Sequence, residues 1–377
     1  MGREKVLFTM SYPGILFPLS YVLYFHQYYI CNLNENNLFY KSFIKSLSIT
    51  TYIFILLFLL LYFFSVSIGK PILYLFFSFM GYLVNLFNSS IILIIIQKIF
   101  KIYLGNNLKL FLFYGIASLI SIIGHIRAEL IYFDKYEIKV EQWKNEKKNL
   151  KVKIAHLSDL HLCPIYGRKL VEKVVNKLNN EKGISFVVLT GDIVDGDMFK
   201  NRIDSSVLEP FKKSKYTIYY VSGNHEEFTD KKRLFSLLEE VGIIYLDNKV
   251  EILSEYKINL IGIGYDKNYK KVKNETIPNL CQISNENRYI NVVLSHIPFF
   301  KAKHLVKYNI FLFLCGHTHG AQMIPTNIYI WSKNTVFNGL YSYLNKYFVY
   351  CVSGVGNSGP PLRTFTRANI GLITLSK

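Results

Sequence analysis

The sequence predicts an α/β domain preceded by an N-terminal bundle of about four transmembrane helices. The first third of the chain contains long apolar segments with few charges, about long enough to cross a bilayer. From about residue 152 onward, short apolar runs alternate with helical patterns, which is typical of an α/β domain. We therefore expect a membrane region at 1–133, a charged juxtamembrane linker at 134–151 and an α/β domain at 152–377.

Four apolar segments make up the predicted membrane region, and they lie at 6–30, 49–68, 72–96 and 110–126. The second is the clearest, because it has the roughly 20 residues needed to cross hydrocarbon and carries no charge. The first has a basic start but no small-residue cleavage site after its apolar stretch, which favours an anchor over a signal peptide. The lipid bilayer is thus an expected partner.

The formal charge of the chain is 44 − 26 = +18, which suits an anionic membrane surface or nucleic acid. The membrane explanation is favoured because the apolar segments are in the same chain, and no nucleic-acid partner is expected without a recognisable binding module. Lysine and arginine are divided six to five between the two sides of a four-span bundle. We expect an integral membrane protein whose soluble domain faces the cytoplasm, and the oligomeric state is left open.

Short apolar runs after the linker have the length of buried strands. They lie at 152–157, 186–190, 217–221, 258–263, 290–294, 310–314 and 347–352. Helical patterns lie between several of them, for example at 169–178 and 231–241. In α/β sheets ligands bind beyond the carboxyl ends of the strands, so functional side chains are expected directly after these runs.

Five polar motifs do follow such runs. They are Ser-Asp-Leu-His at 158–161, Gly-Asp at 191–192, Gly-Asn-His-Glu at 223–226, Ser-His at 295–296 and Gly-His-Thr-His-Gly at 316–320. Any one of these motifs can occur by chance, and an isolated histidine is better explained by packing or by a surface position. The complete set supplies a coordination shell and therefore predicts a metal site.

Seven side chains in these motifs are the candidate metal ligands: Asp159, His161, Asp192, Asn224, His296, His317 and His319. Asp159 and His161 are two residues apart in extended backbone, so both can reach one ion, and His317 and His319 repeat this spacing. A nitrogen and oxygen set without thiolate suits two divalent cations such as Mn²⁺, Fe or Zn²⁺. Two such ions about 3.5–4 Å apart can hold a bridging hydroxide and clamp the oxygens of a displacement at phosphorus.

His225 is the candidate catalytic residue, because it is adjacent to Asn224 and could protonate the leaving oxygen. An imidazole near metal charge could instead orient the phosphoryl group, and the sequence leaves the two roles open. Both roles require the His225 ring to lie beside the reacting phosphoryl group.

The five motifs resemble those of the calcineurin-like metallophosphoesterase superfamily, and the resemblance covers about 151–377. It implies an αββα sandwich of two mixed β-sheets flanked by helices. It also implies that His225 is the acid and that each metal has four ligands. One set would be Asp159, His161, Asp192 and His319, and the other Asp192, Asn224, His296 and His317.

The closer likeness is to the membrane-anchored branch, the transmembrane proteins with a metallophosphoesterase domain, including the YkuE-type phosphodiesterases. The apolar N-terminal region and the tail at 354–363 both fit that branch. The branch commonly has a second glycine after Gly-His-Thr-His-Gly, whereas this chain has Ala321 there. In the tail, Arg363 is a candidate substrate-binding residue for a phosphate oxygen, with a surface arginine as the alternative.

The expectation is a membrane-anchored dimetal phosphoesterase that hydrolyses a phosphodiester or pyrophosphate bond of a lipid-linked substrate, because a tethered site meets lipid headgroups at high effective concentration. Cleavage of UDP-2,3-diacylglucosamine is one reaction of a similar enzyme class. One alternative is a broad phosphoesterase on soluble nucleotides or phosphoproteins, with the membrane part as a tether. Another is a non-catalytic metal-binding sensor fused to a membrane module, which the complete ligand set disfavours.

Overall fold

The structure is a computed structural model that describes residues 70–101, 104–146, 149–196, 205–268, 272–284, 289–299, 302–334 and 336–377. The first two predicted spans, 6–30 and 49–68, therefore lie outside the described residues. The chain divides into two compact units. The first contains residues up to Ile126 together with Gly359–Thr364, and the second contains Arg127–Ser358 and Phe365–Lys377.

The first unit is built on two long helices, α1 (Lys70–Phe100) and α2 (Asn106–Glu129), the last turn of which belongs to the second unit. By length and composition, two helices of the described part can cross a membrane, and they coincide with the third and fourth predicted spans. Asn85 of α1 donates to Ser121 Oγ of α2 at 2.8 Å, a polar contact in an apolar surrounding. The core between them is apolar: Phe76, Met80, Leu83, Leu86, Phe87, Leu93, Phe113 and Ala117.

The segment Gly359–Thr364 packs on both helices of the first unit. Leu362 lies so close to Gly81 and Gly124 that a Cβ atom at either glycine would contact its side chain. The backbone N–H of Arg363 donates to the Gly124 carbonyl at 2.9 Å. Part of the tail noted in the sequence is therefore bound to α1 and α2.

The second unit contains two six-stranded mixed sheets. The strands of the first sheet are β1 (Tyr132–Lys139), β2 (Lys151–Leu157), β3 (Phe186–Thr190), β4 (Ile218–Val221), β5 (Ile243–Tyr245) and β12 (Asn369–Ser376). Their order is β1-β12-β2-β3-β4-β5. The strands of the second sheet are β6 (Lys249–Leu253), β7 (Ile258–Ile263), β8 (Ile290–Ser295), β9 (Ile310–Cys315), β10 (Gly339–Tyr343) and β11 (Tyr347–Cys351), in the order β10-β11-β9-β8-β7-β6.

Helices cover the outer faces of the two sheets, as an αββα sandwich requires. Val188 of β3 and Leu312 of β9 belong to the core between the sheets, whereas Val187 and Leu189 face helices because side chains alternate along a strand. The helices on the first sheet are α3 (Arg168–Asn180) and α4 (Lys231–Glu240), and those on the second are α5 (Ile277–Ser284) and α6 (Ala302–Lys307). A further helix, α7, extends over Thr326–Lys333.

The charged segment at 134–151 was expected to be a linker, but its first part is a β-strand in the structure. Most of Tyr132–Lys139 lies within it, and this stretch is strand β1, which pairs in parallel with β12. Its charged and apolar residues alternate because β1 is an edge strand, which tolerates charges on its exposed side. The sheet that was expected to begin at 152 therefore begins at Tyr132.

The carboxyl ends of β2, β3, β4, β8 and β9 meet at one edge of the sandwich, here called the motif edge because the five polar motifs follow these strands. Strand β12 runs antiparallel to β2, with Gly371 opposite His156, so β12 begins at the motif edge. Tyr132 pairs with Asn369 at the start of β12. The chain thus enters the first sheet at the motif edge, shortly after α2 ends at Glu129.

Candidate active site

Loops from five separate parts of the chain bring the predicted site residues together at the motif edge. His161 and His319 are 158 positions apart, yet their Nε2 atoms are 2.9 Å apart. The residues brought together are Asp159, His161, Asp192, Asn224, His225, His296, His317 and His319. Most of them are buried, so their charges interact in a medium that screens them weakly.

Three overlapping groups of described residues are suited to a metal ion, and one of them (His161, Asp192 and His225) shares residues with both of the others. The other two have no residue in common, and Asp159, His161 and His319 form the first of these two groups. Asp159 Oδ1 lies 3.4 Å from His319 Nε2 and 3.8 Å from His161 Nε2. Because the two ring nitrogens face each other at 2.9 Å, a proton or a cation must lie between their lone pairs. This is the arrangement expected of ligands that converge on one ion.

Asp192, His296 and His317 form the second group. His296 Nε2 lies 3.1 Å from Asp192 Oδ2 and 3.2 Å from His317 Nδ1. The other nitrogen of His296, Nδ1, lies 2.8 Å from the Thr190 carbonyl, which can only accept, so Nδ1 carries a proton and Nε2 is the nitrogen that faces the group. Asp192 Oδ2 is also 3.7 Å from His161 Nε2, so Asp192 joins the two groups.

Two buried oxygens of the site have no hydrogen-bond donor in the described structure, namely Asp159 Oδ1 and Asn224 Oδ1. A buried oxygen without a donor is costly unless a cation takes the donor's place. Together with the facing imidazole nitrogens, these oxygens fit two divalent cations better than they fit a hydrogen-bonded core.

The loops that carry these residues have an uncommon backbone. Asp159, His161, Asp192, His317 and His319 all have φ between 47° and 70°, the left-handed region that side chains with a Cβ atom disfavour. Such a conformation costs about 1–2 kcal/mol per residue and persists only where the surrounding structure imposes it. Five strained residues at one site indicate that the loops are shaped for ligand geometry and not for local stability.

Gly223 allows the loop after β4 to approach the loop after β3. A Cβ atom at Gly223 would lie 2.6 Å from the Asp192 backbone nitrogen and closer still to Asp192 Oδ1. The missing side chain therefore permits the backbone of the Gly-Asn-His-Glu motif to reach the Asp192 carboxylate. The His225 backbone N–H donates to Asp192 Oδ1 at 2.9 Å.

Asp195 is a site residue that the sequence analysis did not identify. His225 Nδ1 and Asp195 Oδ1 are 2.9 Å apart, while His225 Nε2 lies 3.8 Å from Asp192 Oδ2. Since a carboxylate only accepts, Asp195 fixes the proton on Nδ1 and directs Nε2 toward the two groups. The signal in the sequence was an aspartate three residues after Asp192 on the same loop.

Glu226 ends the Gly-Asn-His-Glu motif, and the sequence analysis gave it no role. Its buried carboxylate accepts the backbone N–H groups of Asp192 at 3.0 Å, Ile193 at 2.7 Å and Gly223 at 2.6 Å. Glu226 therefore connects the loop after β3 to the loop after β4 and fixes the backbone of Asp192. A glutamate directly after the candidate acid was the available signal.

The protonation of the site reflects the crowding of its charges. Burial alone lowers the pKa of His296, but the Asp192 carboxylate raises it to about 9. Burial and the charge of His296 lower the pKa of His317 to about 4. Burial raises the pKa of Asp195, but the imidazoles of His161 and His225 outweigh this and hold it well below its ordinary value. A positive charge is thus favoured on His296 and disfavoured on the adjacent His317.

A profile of the family described as "Calcineurin-like phosphoesterase" matches residues 152–321, which contain all of these loops. The chain contains a calcineurin-like metallophosphoesterase domain. This agrees with the resemblance seen in the motifs and with the two mixed sheets of the second unit.

Three relatives illustrate the breadth of the match. An uncharacterized metallophosphoesterase of Helicobacter pylori is 29% identical over 234 residues, which is 61% of each chain. A transmembrane protein with metallophosphoesterase domain from Danio rerio is 30% identical over 261 residues, 64% of this chain and 56% of the relative. An uncharacterized metallophosphoesterase of Aquifex aeolicus is 25% identical over 270 residues, 69% of this chain and 97% of the relative. The match spans about three-fifths of the first two relatives' length.

Two residues singled out in the sequence have unexpected surroundings. Arg363 is completely buried, which rules out the surface arginine, and it belongs to the first unit and not to the metallophosphoesterase unit that carries the histidines. Ala321, which stands where the membrane-anchored branch commonly has glycine, has φ 61°. Glycine adopts that conformation freely, so alanine is the strained choice at this position.

Proposed function

We propose that this protein is a dimetal phosphoesterase that hydrolyses a phosphodiester or pyrophosphate bond in a membrane-associated, lipid-linked substrate. The observation that carries the proposal is the convergence of two metal-suited groups on one shared carboxylate, Asp192. The His225–Asp195 pair beside them offers a proton donor within the same site.

Each residue has a proposed role in this reaction. When bound, two divalent cations (Mn²⁺, Fe or Zn²⁺) supply Lewis-acid polarisation and a water of lowered pKa. His225 protonates the leaving oxygen from Nε2, while Asp195 holds its ring through Nδ1. One cation would be held by Asp159, His161, Asp192 and His319, and the other by Asp192, Asn224, His296 and His317.

The lipid-linked part of the proposal rests on the membrane region and on chain connectivity. Helices α1 and α2 have the length and composition of membrane spans. The chain leaves α2 at Glu129 and enters the first sheet at Tyr132, and Tyr132 lies at the motif edge. Only two residues separate Glu129 from Tyr132, so the first sheet follows α2 along the chain after a short connection. We extend the proposal to an integral membrane protein with this domain on the cytoplasmic face, as the Lys and Arg distribution favours.

Turnover and metal content of the full-length protein in detergent test the enzymatic proposal. Metal-stripped protein should be inactive and should recover turnover when Mn²⁺, Fe²⁺ or Zn²⁺ is added. His225→Asn should keep its metals and lose roughly 10²–10⁴-fold in kcat, the usual contribution of a general acid. The control is His304→Asn, because His304 lies on α6 before β9 begins, away from the motif edge. Wild-type turnover in His225→Asn would remove His225 from the mechanism, and a protein that never binds metal would favour the sensor.

The substrate class is tested by competition between lipid-linked diphosphates, UDP-2,3-diacylglucosamine among them, and soluble nucleotides. We expect the lipid-linked compounds to have the higher kcat/KM. Faster cleavage of soluble nucleotides would favour the alternative in which the membrane part is only a tether. The full chain is needed for this comparison, because deletion of residues 1–133 would also remove the first two residues of β1.

A further inference from the structure

Helix α7 and the residue just before its first turn present large apolar side chains to the solvent. Ile324, Ile328, Tyr329 and Trp331 are 41%, 65%, 56% and 49% exposed. Scattered exposed hydrophobic residues are ordinary, but four within eight positions form a patch, here called the α7 patch. Ile328 and Trp331 are three residues apart on the helix and therefore share a face.

The opposite side of α7 is fixed to the domain. Asn327 is buried, and the Thr326 hydroxyl donates to the Met323 carbonyl. One side of the Trp331 ring meets the rings of Phe337 and Phe365, with centroids 5.6 Å and 5.9 Å away. These contacts hold one side of α7 against the domain, so the exposed side chains of the patch point away from it.

The α7 patch lies on the motif edge. Strand β9 ends at Cys315, and β10 begins at Gly339 opposite Cys351, the last residue of β11, which is parallel to β9. Both ends of the intervening segment therefore lie at the edge that carries the candidate active site. The Gln322 backbone N–H donates to the His319 carbonyl at 3.2 Å, which connects the segment directly to a proposed metal ligand.

The stretch of sequence that contains the α7 patch carries charge of one sign. From Asn287 to Lys377 the sequence contains nine Lys and Arg residues and no Asp or Glu. Within the patch, Lys333 Nζ lies 5.9 Å from the centroid of the Tyr329 ring. Tryptophan, tyrosine and lysine beside aliphatic side chains are the residue types that occupy the boundary between lipid headgroups and acyl chains. A basic segment of this kind attracts anionic lipid headgroups.

We propose that the α7 patch docks on the surface of an anionic lipid bilayer, with Ile328 and Trp331 inserted between headgroups. The inference rests on the proposed membrane location of the chain. Docking would bring the motif edge to the lipid surface at a second point in addition to the covalent link at Tyr132. The active-site opening would then meet the headgroup of a lipid-linked substrate without its extraction from the bilayer.

The two tryptophans of the chain allow a direct test. Trp331 is half-exposed, whereas Trp143 is 2% exposed and lies in the core between the sheets. Wild-type protein and Trp331→Phe are reconstituted into phosphatidylcholine–phosphatidylglycerol vesicles with or without brominated acyl chains. The emission of Trp331 is the difference between the emission of the wild type and that of Trp331→Phe. Brominated lipid should quench this difference and should leave the emission of Trp331→Phe unchanged. Quenching needs neither metal nor turnover, so its failure is separate from failure of the proposed reaction.

Two outcomes of this measurement would overturn the docking proposal. Trp331 emission that is insensitive to brominated lipid, in protein that floats with the vesicles, would show that the patch faces water or another protein. Equal quenching of wild type and Trp331→Phe would assign the effect to Trp143. The same experiment without phosphatidylglycerol should give weaker quenching, since the anionic headgroup supplies the electrostatic attraction.

A functional comparison adds a second readout. The double variant Ile328→Ser, Trp331→Ser should slow turnover of a bilayer-embedded substrate about tenfold, the loss expected for two partly inserted apolar side chains. Its turnover of a small water-soluble phosphodiester should not change. Leu344→Ser is the matched control, because Leu344 is 68% exposed but lies in the turn between β10 and β11, at the opposite end of the second sheet. An equal effect of both variants would contradict docking by α7.

Discussion

The strands of the metallophosphoesterase unit and the loops that follow them have opposite properties. Strand residues such as Val188 and Leu312 are apolar, fully buried and in ordinary extended backbone. Loop residues such as Asp159 and His319 are polar, crowded by like groups and left-handed in backbone conformation. The buried strands therefore stabilise the fold, and this stability offsets the cost of the strained loop backbone and of the crowded polar side chains.

The largest effect is expected from Asp192→Asn, because Asp192 is the carboxylate that joins both metal groups. Loss of this charge should lower bound metal and reduce turnover roughly 10³-fold or more, equivalent to several kcal/mol of transition-state stabilisation. Metal analysis and steady-state kinetics provide the measurement, with Asp266→Asn as a control outside both groups. Full metal content with turnover within tenfold of wild type would contradict the assignment.

A substitution in a strand should lower the stability of the protein and leave its turnover unchanged. Leu312→Ala removes a fully buried side chain from the core between the sheets and should lower the free energy of unfolding by about 2–5 kcal/mol. Denaturant unfolding followed by the emission of Trp143 in the same core measures this change. Turnover per folded molecule should stay at the wild-type value. A loss of turnover without a loss of stability would break the division between strands and loops.

Asp195→Asn should have an intermediate effect. Asp195 orients His225 without belonging to either metal group, so kcat should fall about 10–100-fold while metal content and KM stay unchanged. Asp195→Glu keeps an acceptor for Nδ1 and should recover part of the activity. If Asp195→Asn instead lost its metals, Asp195 would be a ligand and not a positioning residue.

The smallest effect tests the backbone strain itself. Ala321→Gly loses a buried methyl group but relieves a left-handed φ, so its effect on unfolding free energy should be near zero. Ala155→Gly in β2 also loses a buried methyl group, but Ala155 has no backbone strain to relieve. This variant should lower the free energy of unfolding by about 1.5 kcal/mol. The difference between the two variants, measured by denaturant unfolding, estimates the strain at residue 321. Equal losses would show that no strain is stored there.

Seven strands were accessible from sequence because they are short apolar runs, but β12 is also mostly buried and was not predicted. The runs at 186–190 and 258–263 coincide with β3 and β7, and the others differ by a residue at an end. Strand β1 was not recognised because its alternating charges resemble a linker, and only its pairing with β12 identifies it. The strands β6 and β10 are partly exposed, so their sequences also do not distinguish a strand from a loop.

The candidate site was predictable in composition but not in its connections. The seven candidate ligands and His225 could be named because metal chemistry restricts which side chains take part, and the structure brings them together. The roles of Asp195 and Glu226 depend on which loop approaches which, and a local motif carries no information about that approach. Arg363 was chosen for its chemistry, but its complete burial could not be read from the sequence.

The pairing of β1 with β12 has a consequence for biosynthesis. During translation the ribosome completes Tyr132 soon after α2, but its partner Asn369 leaves the exit tunnel only when nearly the whole domain has been made. The nascent chain must therefore keep β1 without its partner strand until the end of synthesis. A product that stops before residue 369 would lack the strand that joins β1 to β2, and we expect quality-control proteases to remove it.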